Sequence, residues 1–273
     1  MVRLGALKTG SVDGTVFESA GEGPPVVLVH GLGMTREMWD WQWPALTGRF
    51  QTVRYDLLGY GASDKPRETY SLTRFADQAA AVMDGLGIDR AALVGFSLGG
   101  MIVRAFALAH PERVTALAIL NSAHGRTEEE RAAILMRVEQ AAREGPRATV
   151  DAALTRWFTP TYGARHPEVL ERVRGWILAN DREVYPLIYR VLAEGDSELA
   201  EAVAAIRSPT LVMTGGEDHG NSPDMARRMA EMIPGARCEI VPGLRHMGLA
   251  EDPEAFNRPL LDFLKEALGA TKP

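Results

Sequence analysis

Short, unbroken apolar runs alternate with stretches of helical periodicity along most of this chain. Val26-Val27-Leu28-Val29, Thr52-Val53-Arg54-Tyr55, Ala91-Ala92-Leu93-Val94, residues 114–120 and Thr210-Leu211-Val212-Met213 each read as a strand. Runs this short and continuous are expected of parallel strands covered on both faces. Between them, residues 71–86 place Leu72, Phe75, Ala79, Val82, Met83 and Leu86 on one stripe, the pattern of a half-buried helix. Ser222-Pro223 supplies a capping hydroxyl followed by proline at the first helical position. A last helix is expected over residues 253–268. The alternation predicts an α/β fold, a mostly parallel twisted sheet with helices on both faces.

The alternation stops between residues 125 and 205, which hold helical segments and no convincing strand. Thr127-Glu128-Glu129-Glu130 has the form of a capping box, and Gly145-Pro146, Thr159-Pro160 and Gly195-Asp196 punctuate the rest of the stretch. An ordinary crossover is much shorter. Residues 125–205 are therefore expected to form a helical cap inserted into a core built from residues 1–124 and 206–273.

Composition narrows the function classes. The 273 residues, 46% of them hydrophobic, suffice for a sizeable core. A net charge of −6 gives no basic stripe, so nucleic acid is not an expected partner. No apolar run approaches the ~20 residues of a membrane span, and residues 1–8 lack the apolar centre of a secretory signal. No membrane association and a cytoplasmic location are the expectations. Cys238 is the single cysteine, which excludes an intrachain disulfide. It lies in an apparent strand and is expected to be a small core filler.

The candidate chemistry centres on Gly95-Phe96-Ser97-Leu98-Gly99, between the apolar run at residues 91–94 and a helical pattern at residues 100–109. A serine flanked by glycines at a sharp strand-to-helix turn is held strained and exposed. The glycines are needed because a side chain at either place would collide with the turn. A serine hydroxyl also needs a base, and the base an orienting acid.

In a sheet of this kind the acid and then the histidine follow the serine along the chain. Of the six histidines, His30, His110, His124 and His166 come too early or on the wrong element. His219 and His246 remain. His246 sits in the loop after the strand that ends at Val241, where ligands gather in open α/β sheets, and is the expected base. Asp218, in the loop after the strand that ends at Met213, is the expected acid, with Glu217 as its rival. Asp218, His219 and His246 can also be read as metal ligands, but nothing nearby completes a set and Ser97 would go unexplained. The preferred reading calls for no metal and no cofactor. The Gly-rich turn His30-Gly31-Leu32-Gly33 can aim backbone N–H groups at the serine, with Leu32 and Leu98 as the expected oxyanion donors.

These residues resemble the α/β-hydrolase superfamily over nearly the whole chain. The landmarks are residues 30–33 with Trp39 downstream, residues 55–64, residues 95–100, residues 215–223 and residues 243–253. Within it, Arg156-Trp157-Phe158-Thr159-Pro160, Ser97-Leu98-Gly99-Gly100-Met101-Ile102 and Arg54-Tyr55-Asp56 are similar to 3-oxoadipate enol-lactonase-type and carboxylesterase members. His30-Gly31 and Met247-Gly248-Leu249-Ala250 depart from the lactonase pattern.

The resemblance implies that Ser97, Asp218 and His246 form a triad acting on a small ester or lactone through an acyl-enzyme. It also implies that residues 56–64 are structural and that Trp39, Trp41 and Trp43 are packing. A carbon–carbon bond hydrolase, an amidase, a cofactor-free perhydrolase and a slow-turnover ligand receptor share these motifs and stay open. Dehalogenases and epoxide hydrolases need a carboxylate nucleophile, which Ser97 is not. Gly31, Met34, Trp157 and Met247, with Phe158 and Met136, are the expected pocket lining between cap and strand ends. The oligomeric state is left open.

Overall fold

The structure, a computed structural model, describes residues 7–269. Most of the expectation about residues 1–8 lies outside the described residues. The strands are β1 (Lys8–Val12), β2 (Thr15–Ala20), β3 (Pro25–Val29), β4 (Gln51–Tyr55), β5 (Ala91–Phe96), β6 (Val114–Leu120), β7 (Thr210–Gly215) and β8 (Arg237–Val241). The helices of the sheet region are α1 (Trp43–Thr47), α2 (Leu72–Gly85), α3 (Leu98–Ala109) and, after β7, α9 (Pro223–Met232), α10 (Gly248–Glu251) and α11 (Pro253–Ala267). Between β6 and β7 the regular structure is helical throughout: α4 (Glu128–Glu144), α5 (Val150–Trp157), α6 (Pro160–Arg165), α7 (Pro167–Leu178) and α8 (Val184–Leu199), with short 3-10 turns.

All eight strands belong to one sheet in the order β1-β2-β4-β3-β5-β6-β7-β8. From β4 to β8 the pairings are parallel; β1 with β2 and β2 with β4 are antiparallel. The strands read as continuous apolar runs because both faces are covered. Val27, Val29, Leu93, Leu117, Ile119 and Val212 enter one apolar layer, packed with α2, α3 and α8. Val26, Leu28, Val94, Ala118, Leu211 and Met213 enter the other, packed with α11 and residues of α5 and α7. Successive side chains of a strand point to opposite faces, so each strand feeds both layers.

Local signals act as their chemistry dictates. Ser71 accepts a hydrogen bond from the Arg74 N–H at 3.0 Å and starts α2. Thr127 and Glu130 close a reciprocal capping box at the start of α4. Ser222 accepts from the Met225 N–H at 3.3 Å and starts α9.

Two features differ from expectation. The antiparallel pair β1–β2 carries no continuous apolar run, and its outer strand is half-exposed. Its signal is the Asp13-Gly14 turn, both residues at positive φ, a dipeptide suited to tight hairpins. Cys238 is exposed rather than a core filler, because β8 is the edge of the sheet and only its C-terminal end is covered. No described helix is long and apolar enough to cross a membrane.

Candidate active site

Ser97 stands between β5 and α3 with φ 56° and ψ −114°, a left-handed backbone that costs a non-glycine residue energy. The surroundings enforce it. The Ser97 N–H donates to the Leu120 carbonyl at 2.9 Å, and the Ser97 carbonyl accepts from Ser122 Oγ at 2.8 Å. A Cβ on Gly95 would lie 2.2 Å from the Gly99 carbonyl oxygen, and one on Gly99 would lie 2.1 Å from that of Val29. Only glycine lets strand and helix approach this closely. Ser97 remains 8% exposed.

Asp218 and His246 come together from the loops after β7 and β8. His246 Nδ1 and Asp218 Oδ2 are 2.7 Å apart, with both residues buried. The other oxygen, Oδ1, accepts the N–H groups of Gly220 at 3.1 Å and Asn221 at 3.0 Å. Burial alone would raise the Asp218 carboxyl. The His246 charge and hydrogen bond, with donors from Asn121 and Asn221, outweigh it and hold the group below the usual carboxylate range. An imidazole held this way through Nδ1 keeps Nε2 as its basic nitrogen. The His246 ring packs on Phe96, the residue before Ser97, at 4.8 Å, and on Trp157 of α5 at 5.5 Å.

Glu217 points elsewhere: it is exposed and 3.9 Å from Arg245. His219 is exposed too, and among the described residues no group of three His, Cys, Asp or Glu side chains is placed to hold a metal ion.

Leu98 is the first residue of α3, so its N–H has no intrahelical partner. The turn after β3 runs against the serine, since a Cβ on Gly31 would lie 3.2 Å from that of Ser97. His30 braces this turn. One ring nitrogen pairs with the Gly31 carbonyl at 2.9 Å, and the other accepts the Leu57 N–H at 2.9 Å, which makes the ring neutral. Full burial lowers its pKa in the same sense, against the Asp56 charge.

The expected lining residues divide. Trp157 lies over His246, and its carbonyl accepts the Met247 N–H at 2.9 Å. Met34 and Met247 are buried in the apolar layer that holds Trp39 and Phe96, as is Phe158. Met136 does not line the site, because α4 turns it outward and leaves it 65% exposed.

Several residues had no sequence signal of their own. Asn121, at φ 48° after β6, donates to Asp218 Oδ2 at 3.0 Å. Arg104, fully buried in α3, donates to the Gly100 carbonyl, to Ser122 Oγ and to the Ala123 carbonyl at 3.1, 3.2 and 2.8 Å. Through Ser122 it braces the Ser97 carbonyl.

A strand–serine–helix turn beside a buried carboxylate–imidazole pair, on a mostly parallel sheet with a helical insertion, defines a class of α/β enzyme. Residues 24–253 match the α/β hydrolase fold family, and the chain belongs to it. It is 30% identical, over 90% of its length and 92% of the relative's, to the (E)-2-((N-methylformamido)methylene)succinate hydrolase of Acinetobacter baylyi. The structure of the enol-lactonase from Burkholderia xenovorans LB400 is similar at TM-score 0.86 and 31% identity, covering 94% of this chain and 100% of that one. A malate-bound thermophilic esterase from Thermogutta terrifontis is similar at TM-score 0.87 and 27% identity, covering 96% and 99%.

Proposed function

We propose that this protein is a serine hydrolase of small carboxylic esters or lactones. Ser97 Oγ attacks the carbonyl carbon as His246 Nε2 takes its proton. The N–H groups of Leu32 and Leu98 stabilise the oxyanion. His246 then protonates the leaving alcohol, which in a lactone stays tethered to the acyl group. A water, deprotonated by His246, releases the acid and restores Ser97. Asp218 keeps the imidazole oriented and stabilises its charged form. The observation that carries this reading is the strained Ser97 beside a 2.7 Å buried Asp218–His246 pair.

The enol-lactonase and esterase among the similar structures support an ester or lactone as the bond broken. Amide hydrolysis is the second reading, favoured by the N-methylformamido group in the name of the Acinetobacter relative. The helical insertion acts as a cap, with Trp157 closing the site over the base.

The test is labelling with a fluorophosphonate, together with turnover of 4-nitrophenyl acetate. Labelling and multiple turnover are expected, both lost in Ser97→Ala. His246→Ala should fall about as far as Ser97→Ala, because nucleophile and base act as one unit. A single burst without further turnover favours a receptor; no labelling at all ends the reading.

A further inference from the structure

Residues 31–34 form a tight turn, closed by the Met34 N–H donating to the Gly31 carbonyl at 3.3 Å. Gly33 stands third in it at φ 74°, a place where a turn calls for glycine. The Gly31 carbonyl also accepts from the His30 ring at 2.9 Å. The Gly33 carbonyl is differently served. It is buried, and among the described residues no backbone N–H donates to it. Its partner is Asn180 Nδ2 at 3.1 Å, which reaches it from the helical insertion just beyond α7.

Asn180 is itself held in place. Nδ2 also donates to the Trp176 and Ile177 carbonyls at 3.0 and 2.9 Å. With three carbonyls at one end of the amide, only its NH2 can face them. The rest of α7 is seated on the same stretch of chain. Trp176 Nε1 donates to Glu37 at 3.2 Å, and Arg172 pairs with Asp40, both in the 3-10 turn Arg36–Trp41. A Cβ on Gly33 would lie 3.4 Å from Ile177 Cγ1.

Two planar peptides connect Asn180 to the expected oxyanion donor. In a trans peptide the carbonyl and the following N–H point in opposite directions within one plane. Asn180 holds the Gly33 carbonyl, and so aims the Met34 N–H. That N–H holds the Gly31 carbonyl, and so aims the Leu32 N–H. Hydrogen bonds in such a chain also polarise one another, which strengthens the last donor.

We propose that Asn180 is a positioning residue for the oxyanion hole, acting on the Leu32 N–H through these two peptides. The hole is then complete only with α7 seated against the turn. This role rests on the hydrolase reading above and on Leu32 as an oxyanion donor.

Two measurements on three variants test it. The first is steady-state turnover of 4-nitrophenyl acetate. Asn180→Ala should lower kcat and kcat/KM alike, by about tenfold, with KM little changed, because the interaction is made in the transition state. That is less than the 10²–10³-fold lost when an oxyanion donor is removed outright. Asn180→Asp keeps the shape but turns acceptors toward three carbonyls, and should fall further. Glu37→Ala cuts the neighbouring tie to α7 without touching the turn, and should stay within about twofold of wild type.

The second measurement is affinity for phenylboronic acid. Ser97 Oγ bonds to boron as His246 takes the hydroxyl proton, which leaves a tetrahedral anion with one oxygen at the oxyanion position. Its dissociation constant should rise in Asn180→Ala by the same factor as kcat/KM falls. A kcat loss with unchanged boronate affinity overturns the role. So does Glu37→Ala falling as far as Asn180→Ala, or Asn180→Asp retaining more activity than Asn180→Ala; the residue then only seats the helix. If the wild type turns over and neither Asn180 variant changes it, the hydrolase reading stands and the Asn180 role falls alone. If the wild type neither turns over nor binds the boronate, both fall.

Discussion

Asn121 donates a 3.0 Å hydrogen bond from its side chain to the Asp218 carboxylate, reaching it from the end of the neighbouring strand. The same Oδ2 atom faces His246 Nδ1 at 2.7 Å. Asn121 thus draws off part of the negative charge that stabilises a protonated His246. Replacing Asn121 with Ala removes a hydrogen bond to a charged group, worth about 1.5–3 kcal/mol. A fall in kcat/KM of about 10–100-fold is expected. The less neutralised carboxylate favours the imidazolium, so the acidic limb of the pH–rate profile should move to higher pH. A variant with lower activity but an unmoved limb would reduce Asn121 to a packing role.

The choice of acid separates two adjacent carboxylates. Asp218 is buried with four donors around it, whereas Glu217 is exposed near Arg245. Asp218→Asn should lower kcat by about 10³–10⁴-fold, since the amide favours the wrong imidazole tautomer. Glu217→Ala should stay within about threefold of wild type, as an exposed ion pair contributes little. Steady-state kinetics on 4-nitrophenyl acetate decides; the reverse order transfers the role to Glu217.

Much of this arrangement was legible along the chain because steric necessity leaves marks. The glycines around Ser97 are the only residues that let β5 and α3 meet, so motif and geometry coincide. The parallel strands announced themselves as apolar runs because both of their faces are covered. Covered faces were also why β1, β2 and the exposure of Cys238 went unread: they lie toward the two edges of the sheet, where burial is partial and the pattern fades. Asn121 and Arg104 left no mark at all. A polar side chain after a strand, or an arginine inside a helix pattern, acquires its role only when the topology brings a second segment to it.

The contact between Gly99 and Val29 gives a stability prediction. A Cβ at residue 99 would lie 2.1 Å from the Val29 carbonyl oxygen and 2.7 Å from that of His30. Both obstacles are backbone and cannot swing aside. Gly99→Ala should destabilise the fold by about 3 kcal/mol or more, at the upper end of overpacking costs. Gly175→Ala is the control, because nothing lies within 4 Å of a Cβ there and helical Ala is favoured over Gly. Urea midpoints of the two variants should move in opposite directions.

His124 makes stability depend on pH. It is 3% exposed, its Nδ1 has no hydrogen-bond partner, and Nε2 meets Met232 Sδ at 3.3 Å. Burial, reinforced by the nearby Arg104 charge and opposed by Asp196, pushes its pKa down to about 4. The unfolded chain takes up this proton near pH 6.5, while the folded chain refuses it until about pH 4. Stability from this group is therefore full above pH 6.5 and falls as the pH drops toward 4, by at most about 1.4 kcal/mol per pH unit. His30, buried and lowered in the same direction, adds to the slope. His124→Gln should flatten the slope without abolishing it. Urea unfolding at pH 7.5 and pH 5 measures this: the loss of stability between the two should be smaller in the variant. Equal losses in wild type and variant would mean that His124 is protonated in the folded protein and that its burial is relieved as the pH falls.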